Sequence, residues 1–286
     1  MGTIIPNIID VLVLSSMYIL VALGFSFLFN VLGILNLAHG AIYMIGGYFG
    51  YQLIVVLGLN QWLALLMTVA FFGAFGILLE KIFFRPLVGN FDSIIMVCIA
   101  IAVILQTSIN ISVGYQAQSL PPFYRGIIRA GVITISAERV ITFVIGGILL
   151  AFVIWFVNRT KWGQQMQAIS QNREAAALQG ININRISGIA TAIACGLAAI
   201  AGCLMGAYLN LTPFMGDYIL VKVLILVIIA GVGSISGIFY SGILLGALDV
   251  ILPLFMRGAA SEAVTISIVV VLLLFRPQGF FGRQAT

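Results

Sequence analysis

The stretch VLVLSSMYILVALGFSFLFNVLGILNLAHGAIYMIGGYFGYQLIVVLGLNQWLALLMTVAFFGAFGILL, Val11 to Leu79, contains no Asp, Glu, Lys or Arg, and His39 is its only ionisable side chain apart from tyrosines. A soluble domain carries about 25% charged residues and could not cover its surface with such sequence. Over all 286 residues only 7% are charged and 62% are hydrophobic, with a mean hydropathy of +1.21. The chain therefore reads as an integral membrane protein. About 20 apolar residues, at 1.5 Å each, make a helix that crosses a hydrocarbon core of about 30 Å. No Lys or Arg precedes the first apolar block, so that block is read as a retained span and not a cleaved leader.

Blocks of this kind cover residues 8–29, 37–57, 62–79, 93–113, 140–157, 186–208, 218–232, 238–255 and 263–275. The expected fold is all-α, a polytopic helical bundle of eight to nine spans forming one membrane domain over residues 1–286. The open element is either the first span or one half of the pair joined by GVGSISG (231–237), where a broken, re-entrant hairpin is the other reading. Pro277 is expected to stop the last span. Cys98, Cys195 and Cys203 lie inside apolar blocks without metal-ligand spacing, so no metal site is expected.

The longest interruption is NRTKWGQQMQAISQNREAAALQGININRI, residues 158–186, with Arg159, Lys161, Arg173 and Arg185 against one acid, Glu174. One short helix is legible inside it. Asn172 is a good N-cap, Glu174 suits the positive end of the helix dipole, and Gly180 can supply a left-handed terminating residue. Two turns are too few to stand alone in water. If this loop is cytoplasmic, Lys81, Arg85, Arg159, Lys161, Arg173, Arg185, Arg276 and Arg283 share its side, against Arg125, Arg129, Arg139, Lys222 and Arg257 opposite. Eight cations against five agrees with the positive-inside rule. No basic patch with interleaved aromatics points to nucleic acid.

On the opposite side, residues 114–138 form the other long loop. It contains Pro121 and Pro122, then GIIRAGVITIS, whose alternation predicts a small hairpin. A plug over the bundle and a docking surface are both open readings.

Ionisable or polar groups within spans are functional candidates. Lys222 and Asp249 lie at matching distances from the GVGSISG turn, which predicts an ion pair between antiparallel helices; a substrate or proton site is the alternative. Asn36 is read as the cap of the second span. His39 is placed near the cytoplasmic face, as a hydrogen-bonded helix-end residue or a transport ligand. Gly40, Gly46, Gly47 and Gly50, with Gly231, Gly233 and Gly237, are candidates for close packing and for a gate hinge. Gln106 and Asn110 share one helix face, for interhelical hydrogen bonds or for lining a path.

Taken in order, GFSFLFNVLGILNLAHGAIYMIGGY (24–48), EAAALQGININRI (174–186), LTPFMG (211–216), GVGSISG and LFRPQGFFGR (274–283) resemble the permease subunits of bacterial branched-chain amino-acid importers of the ATP-binding-cassette class, the LivH type. The resemblance covers nearly the whole chain. Asn30 stands where the family usually has glycine and Arg173 where many members have proline. No lysine-bearing phosphate loop occurs, so the chain is expected to be no enzyme and to hold no cofactor, with ATP and magnesium on partner chains. The resemblance implies a bacterial inner-membrane protein, a second similar permease, two ATPase subunits and an extracytoplasmic solute-binding protein. It also implies that EAA-x3-G is the ATPase-coupling helix, with Arg173, Glu174, Ala175, Ala176 and Gly180 at the contact. Urea or short amides are open as substrates within the family, and a secondary transporter or channel outside it.

Overall fold

The computed structural model describes residues 4–124, 126–130, 133–231, 233–275 and 279. Helix α1 (Ile4–Leu32) is followed by α2 (His39–Tyr51), which runs on into a π-helical turn, Gln52–Val56. Next come α3 (Gln61–Leu79), a second π-helical turn (Glu80–Phe84), α4 (Arg85–Leu87) and α5 (Phe91–Val113). A hairpin of β1 (Ile127–Ala130) and β2 (Ile133–Ser136) leads to α6 (Ala137–Arg159), α7 (Lys161–Gln171), α8 (Arg173–Leu178) and α9 (Ile183–Tyr208). The chain continues with α10 (Met215–Ala230), α11 (Ile235–Ile251) and α12 (Ala259–Phe275).

Six helical runs among the described residues are long and apolar enough to cross a membrane: Ile5–Leu32, Gln61–Leu87, Phe91–Val113, Ala137–Arg159, Ile183–Tyr208 and Ile235–Leu254. The remaining apolar blocks form shorter helices, namely α2 with its π-helical turn, α10 and α12. Arg125, Arg276, Pro277 and Arg283 lie outside the described residues.

The chain divides into two compact units interleaved in sequence, one of Leu23–Pro121 with Ala151–Leu220, the other of Met1–Ala22, Pro122–Leu150 and Val221–Thr286. The first unit is built around α9, almost wholly buried from Ile186 to Gly206. Small residues let its neighbours approach to backbone contact, the usual device where no hydrophobic effect drives helices together. Gly46 lies against Ala199, Gly202 against the Tyr43 carbonyl, Gly50 against Cys203 and Gly76 against Thr191. The glycines of α2 thus act as packing surfaces. Above them Gln118 and Leu211 exchange backbone hydrogen bonds (3.0 and 2.8 Å), and Leu120 and Leu211 close the core over Met44, Tyr48 and Leu53. Residues 118–120 are therefore anchored onto the core of this unit.

In the second unit, Ser15, Ser16 and Ile19 of α1 take Gly246, Gly146 and Gly242 of α11 and α6 against them. Arg139 donates to Asp10 at 2.8 Å. The hairpin pairs antiparallel with Ile127 opposite Ser136. Behind it the buried Glu138 accepts from the Phe123 backbone N–H at 2.6 Å. Between α10 and α11, Gly231 and Gly233 take φ of 81° and 88°, and Ser234 caps α11 through Gly237 N–H at 3.0 Å. Gly237 allows that corner because a Cβ there would meet the Ala230 backbone.

Lys222, expected within a span, lies inside α10 and is 3% exposed. Two expectations need correction. The N-cap of α2 is Ala38, already in helical geometry, and the Asn36 side chain accepts the Ala38 N–H at 3.1 Å just ahead of it. His39 is not level with the ends of α1 and α9. Gly24 approaches both Ala194 and His39, and Ala194 lies about 16 Å along α9 from Ile183 at 1.5 Å per residue. Residues 33–38 carry the chain back from the end of α1, so α2 begins well inside the bundle.

Candidate coupling loop and intramembrane polar sites

The 158–186 loop is three helix starts in succession, each with a side-chain cap. Thr160 Oγ1 accepts from Gly163 N–H (3.1 Å), Asn172 Oδ1 from Ala175 N–H (2.9 Å) and Asn182 Oδ1 from Arg185 N–H (3.1 Å). The first starts α7, a helix not expected from the sequence. Its signal was present in Thr160 and in Gly163, Met166 and Ile169, which are buried and repeat at helical spacing. Gly163 sits on the Phe156 and Val157 backbone, where a Cβ would not fit, so α7 folds back directly on the end of α6.

Helix α8 is closed at both ends. Gly180, with φ of 82°, donates to the Ala177 carbonyl (2.9 Å), and Ile181 donates to that of Ala176 (3.1 Å). These are the two bonds of a Schellman cap. Ala176 faces inward at 4% exposure, whereas Glu174 and Ala175 are exposed, Arg173 is half-exposed and Leu178 is 90% exposed. A six-residue helix draws most of its order from these caps. Asn172→Ala is expected to weaken it by about 1 kcal/mol. Hydrogen exchange at residues 173–181 should quicken about fivefold relative to α9; equal exchange in both proteins would show that the cap does not hold the helix.

The loop is tied to α3 by residues that sequence reasoning missed. Glu80 is 1% exposed, and Arg85 grips it with Nε (3.1 Å) and Nη2 (2.6 Å) while Nη2 also donates to the Asn184 carbonyl at 3.3 Å. Arg85 thereby joins the end of α3 to the first turn of α9. Their separation in sequence left no local signal.

Among the intramembrane candidates, Lys222 Nζ lies 2.6 Å from Asp249 Oδ1, with the side chains 4% and 9% exposed. Tyr18 Oη, not singled out from sequence, donates to Asp249 Oδ2 at 2.7 Å. Asn36, His39, Gly40, Gln106 and Asn110 belong to the other unit. His39 is buried edge-on to Phe25, 5.8 Å between ring centres. Gly40 packs on the Gly216 backbone, so the first turns of α2 and α10 meet inside the bundle. Gln106 donates to Asp217 Oδ2 (2.9 Å) and to the Pro213 carbonyl (3.2 Å). Asn110 shares its face but not its partners, and its Oδ1 is buried without a hydrogen bond among the described residues. Gly231 and Gly233 lie in the turn before α11, and Gly237 lies in the first turn of α11 against the Ala230 backbone. The Asn30 amide donates to Ser26 Oγ at 3.0 Å. No group of three or more His, Cys, Asp or Glu among the described residues could hold a metal.

Long apolar helices, a capped polar loop and polar groups gathered within the bundle define a multi-span membrane protein of the permease class. The chain belongs to the family described as branched-chain amino acid transport system / permease component, whose model matches residues 7–275. It is 28% identical to the high-affinity branched-chain amino acid transport system permease protein BraD of Pseudomonas aeruginosa, covering 98% of this chain and 96% of that protein. It is 25% identical to the corresponding LivH protein of Escherichia coli strain K12, covering 94% and 92%. Among solved structures, PsaBC from Streptococcus pneumoniae in complex with Fab shares the fold, with a TM-score of 0.52, 14% identity and coverage of 95% and 92%.

Proposed function

We propose that this chain is the membrane-spanning subunit of an ATP-driven importer and forms the translocation path for branched-chain or other hydrophobic amino acids. It works with a second permease, two ATPase subunits and an extracytoplasmic binding protein, in a bacterial inner membrane. All nine apolar helices span or enter the bilayer, and the 158–186 loop is cytoplasmic. With Lys222 counted inside the bundle, the bias of Lys and Arg toward the loop's side is eight to four, which supports that orientation.

The observation that carries the coupling role is α8. It is a short helix, rigid at both ends, set between α7 and the long α9, presenting Glu174, Ala175 and Leu178 outward. Leu178, 90% exposed on this helix, is available for a contact with another chain. Displacement of α8 reaches α9 through the Asn182 cap and reaches α3 through Arg85.

The test is Glu174→Lys in the assembled complex. Loss of ATPase association, with the permease still folded and still paired with its partner, is the expected result. Unchanged ATP-driven uptake would sink the coupling role.

A further inference from the structure

In sequence Asp217 immediately precedes the apolar block 218–232. The structure puts it in the first turn of α10, next to Gly216, whose backbone lies on Gly40. Gly40 follows His39, and both His39 and Ala194 approach Gly24. Ala194 stands about 16 Å from one end of α9 and about 21 Å from the other, at 1.5 Å per residue. Asp217 is therefore near mid-height in the bundle, and its side chain is exposed. A carboxylate facing lipid there would cost about 2.5–3.5 kcal/mol or more. It has to face water or a partner subunit.

Its surroundings are short of one positive charge. Gln106 Nε2 donates to Oδ2 at 2.9 Å, while Oδ1 accepts no hydrogen bond among the described residues. Lys222, further along the same helix, is already bound to Asp249. Around Asp217 on the exposed side are Phe214 and Tyr218, with Tyr115 stacked on Phe214 at 6.3 Å between ring centres. Among the described residues no second carboxylate or imidazole gathers with it to hold a metal ion. One neutral donor, one open oxygen and apolar rings suit a primary ammonium carried on an aliphatic molecule.

We infer that Asp217, held in place by Gln106, is the counter-charge that meets the ammonium group of the amino acid midway along the translocation path. This rests on the amino-acid reading above. It makes Asp217 a substrate-contacting residue and Gln106 a positioning one.

The test uses the whole complex in proteoliposomes, with binding protein and radiolabelled leucine. Asp217→Asn is expected to lower leucine uptake about tenfold or more, the loss of about 1.4 kcal/mol, while ATPase association and basal ATP hydrolysis stay at the native level. Asp217→Glu restores part of the uptake. Independently, Tyr218→Cys keeps the acid and reports the field at the site. The native Cys98, Cys195 and Cys203 are buried, so background labelling is low. A cationic methanethiosulfonate should react with that cysteine about tenfold faster than an anionic one, and the preference should vanish when Asp217→Asn is added. Uptake by Asp217→Asn within twofold of native, or a Tyr218→Cys thiol with no preference between the reagents, overturns the inference. Absence of leucine uptake by the native complex itself overturns the amino-acid reading and this inference with it.

Discussion

Lys222→Met alone is expected to destabilise the folded chain by about 3–5 kcal/mol, because it leaves a buried carboxylate without its cation. Asp249→Leu alone should cost a similar amount by stranding the ammonium. The double variant Lys222→Met/Asp249→Leu should recover most of that loss, since an apolar pair of similar volume needs no desolvation of charge. Among the described residues Tyr18 donates the other hydrogen bond to Asp249, at 2.7 Å, and Tyr18→Phe is expected to cost about 1.5–3 kcal/mol. Unfolding of the purified chain in detergent measures all four. Additive single losses in the double variant would remove the pairing argument. The same set separates the two roles left open by sequence: a structural lock returns both folding and uptake in the double variant, whereas a substrate or proton site returns folding only.

The second large effect is expected at Gly202. Its Cβ position falls on the Tyr43 carbonyl, with Gly47 N only 3.2 Å away, so any side chain must push α2 off α9. Overpacking of this kind typically costs about 1–3 kcal/mol. Gly202→Leu should exceed that range, because the obstacle is backbone on both sides. Gly202→Ala tests the same contact more mildly. Gly147, a glycine with nothing within 4 Å of its Cβ position, is the matched control, and Gly147→Ala should leave yield and unfolding unchanged. Native-like unfolding of Gly202→Leu would mean that α2 and α9 are not held at backbone contact.

Much of the architecture was legible locally. Apolar block length gave helices at all nine places, because each needs only its own hydrogen bonds and about 1.5 Å per residue. The caps of α8 were readable for the same reason. Asn172 and Gly180 act on backbone groups within a few residues of themselves. The Lys222–Asp249 pair could be anticipated because both residues are measured from one turn along two neighbouring helices. Helix α7 was equally local, and was overlooked because its polar composition was read as loop.

What sequence could not decide is how the helices sit in depth and which faces meet. A span that is apolar all round has no stripe to mark its buried side, so α9 at the centre of its unit and α5 at the rim look alike. The return of residues 33–38 into the bundle, and with it the depth of His39, depends on α1 and α9 closing around Gly24. The Glu80–Arg85–Asn184 link and the Gln106–Asp217 contact join residues about 100 positions apart. From sequence by itself came a membrane bundle of helices with a capped polar loop, since those are consequences of local hydrogen bonding and of transfer out of water. Only the tertiary structure could set the starts of α2 and α10 against each other mid-bundle and bring Asp217 to Gln106, because backbone contact between glycines and alanines leaves no periodic trace in the sequence.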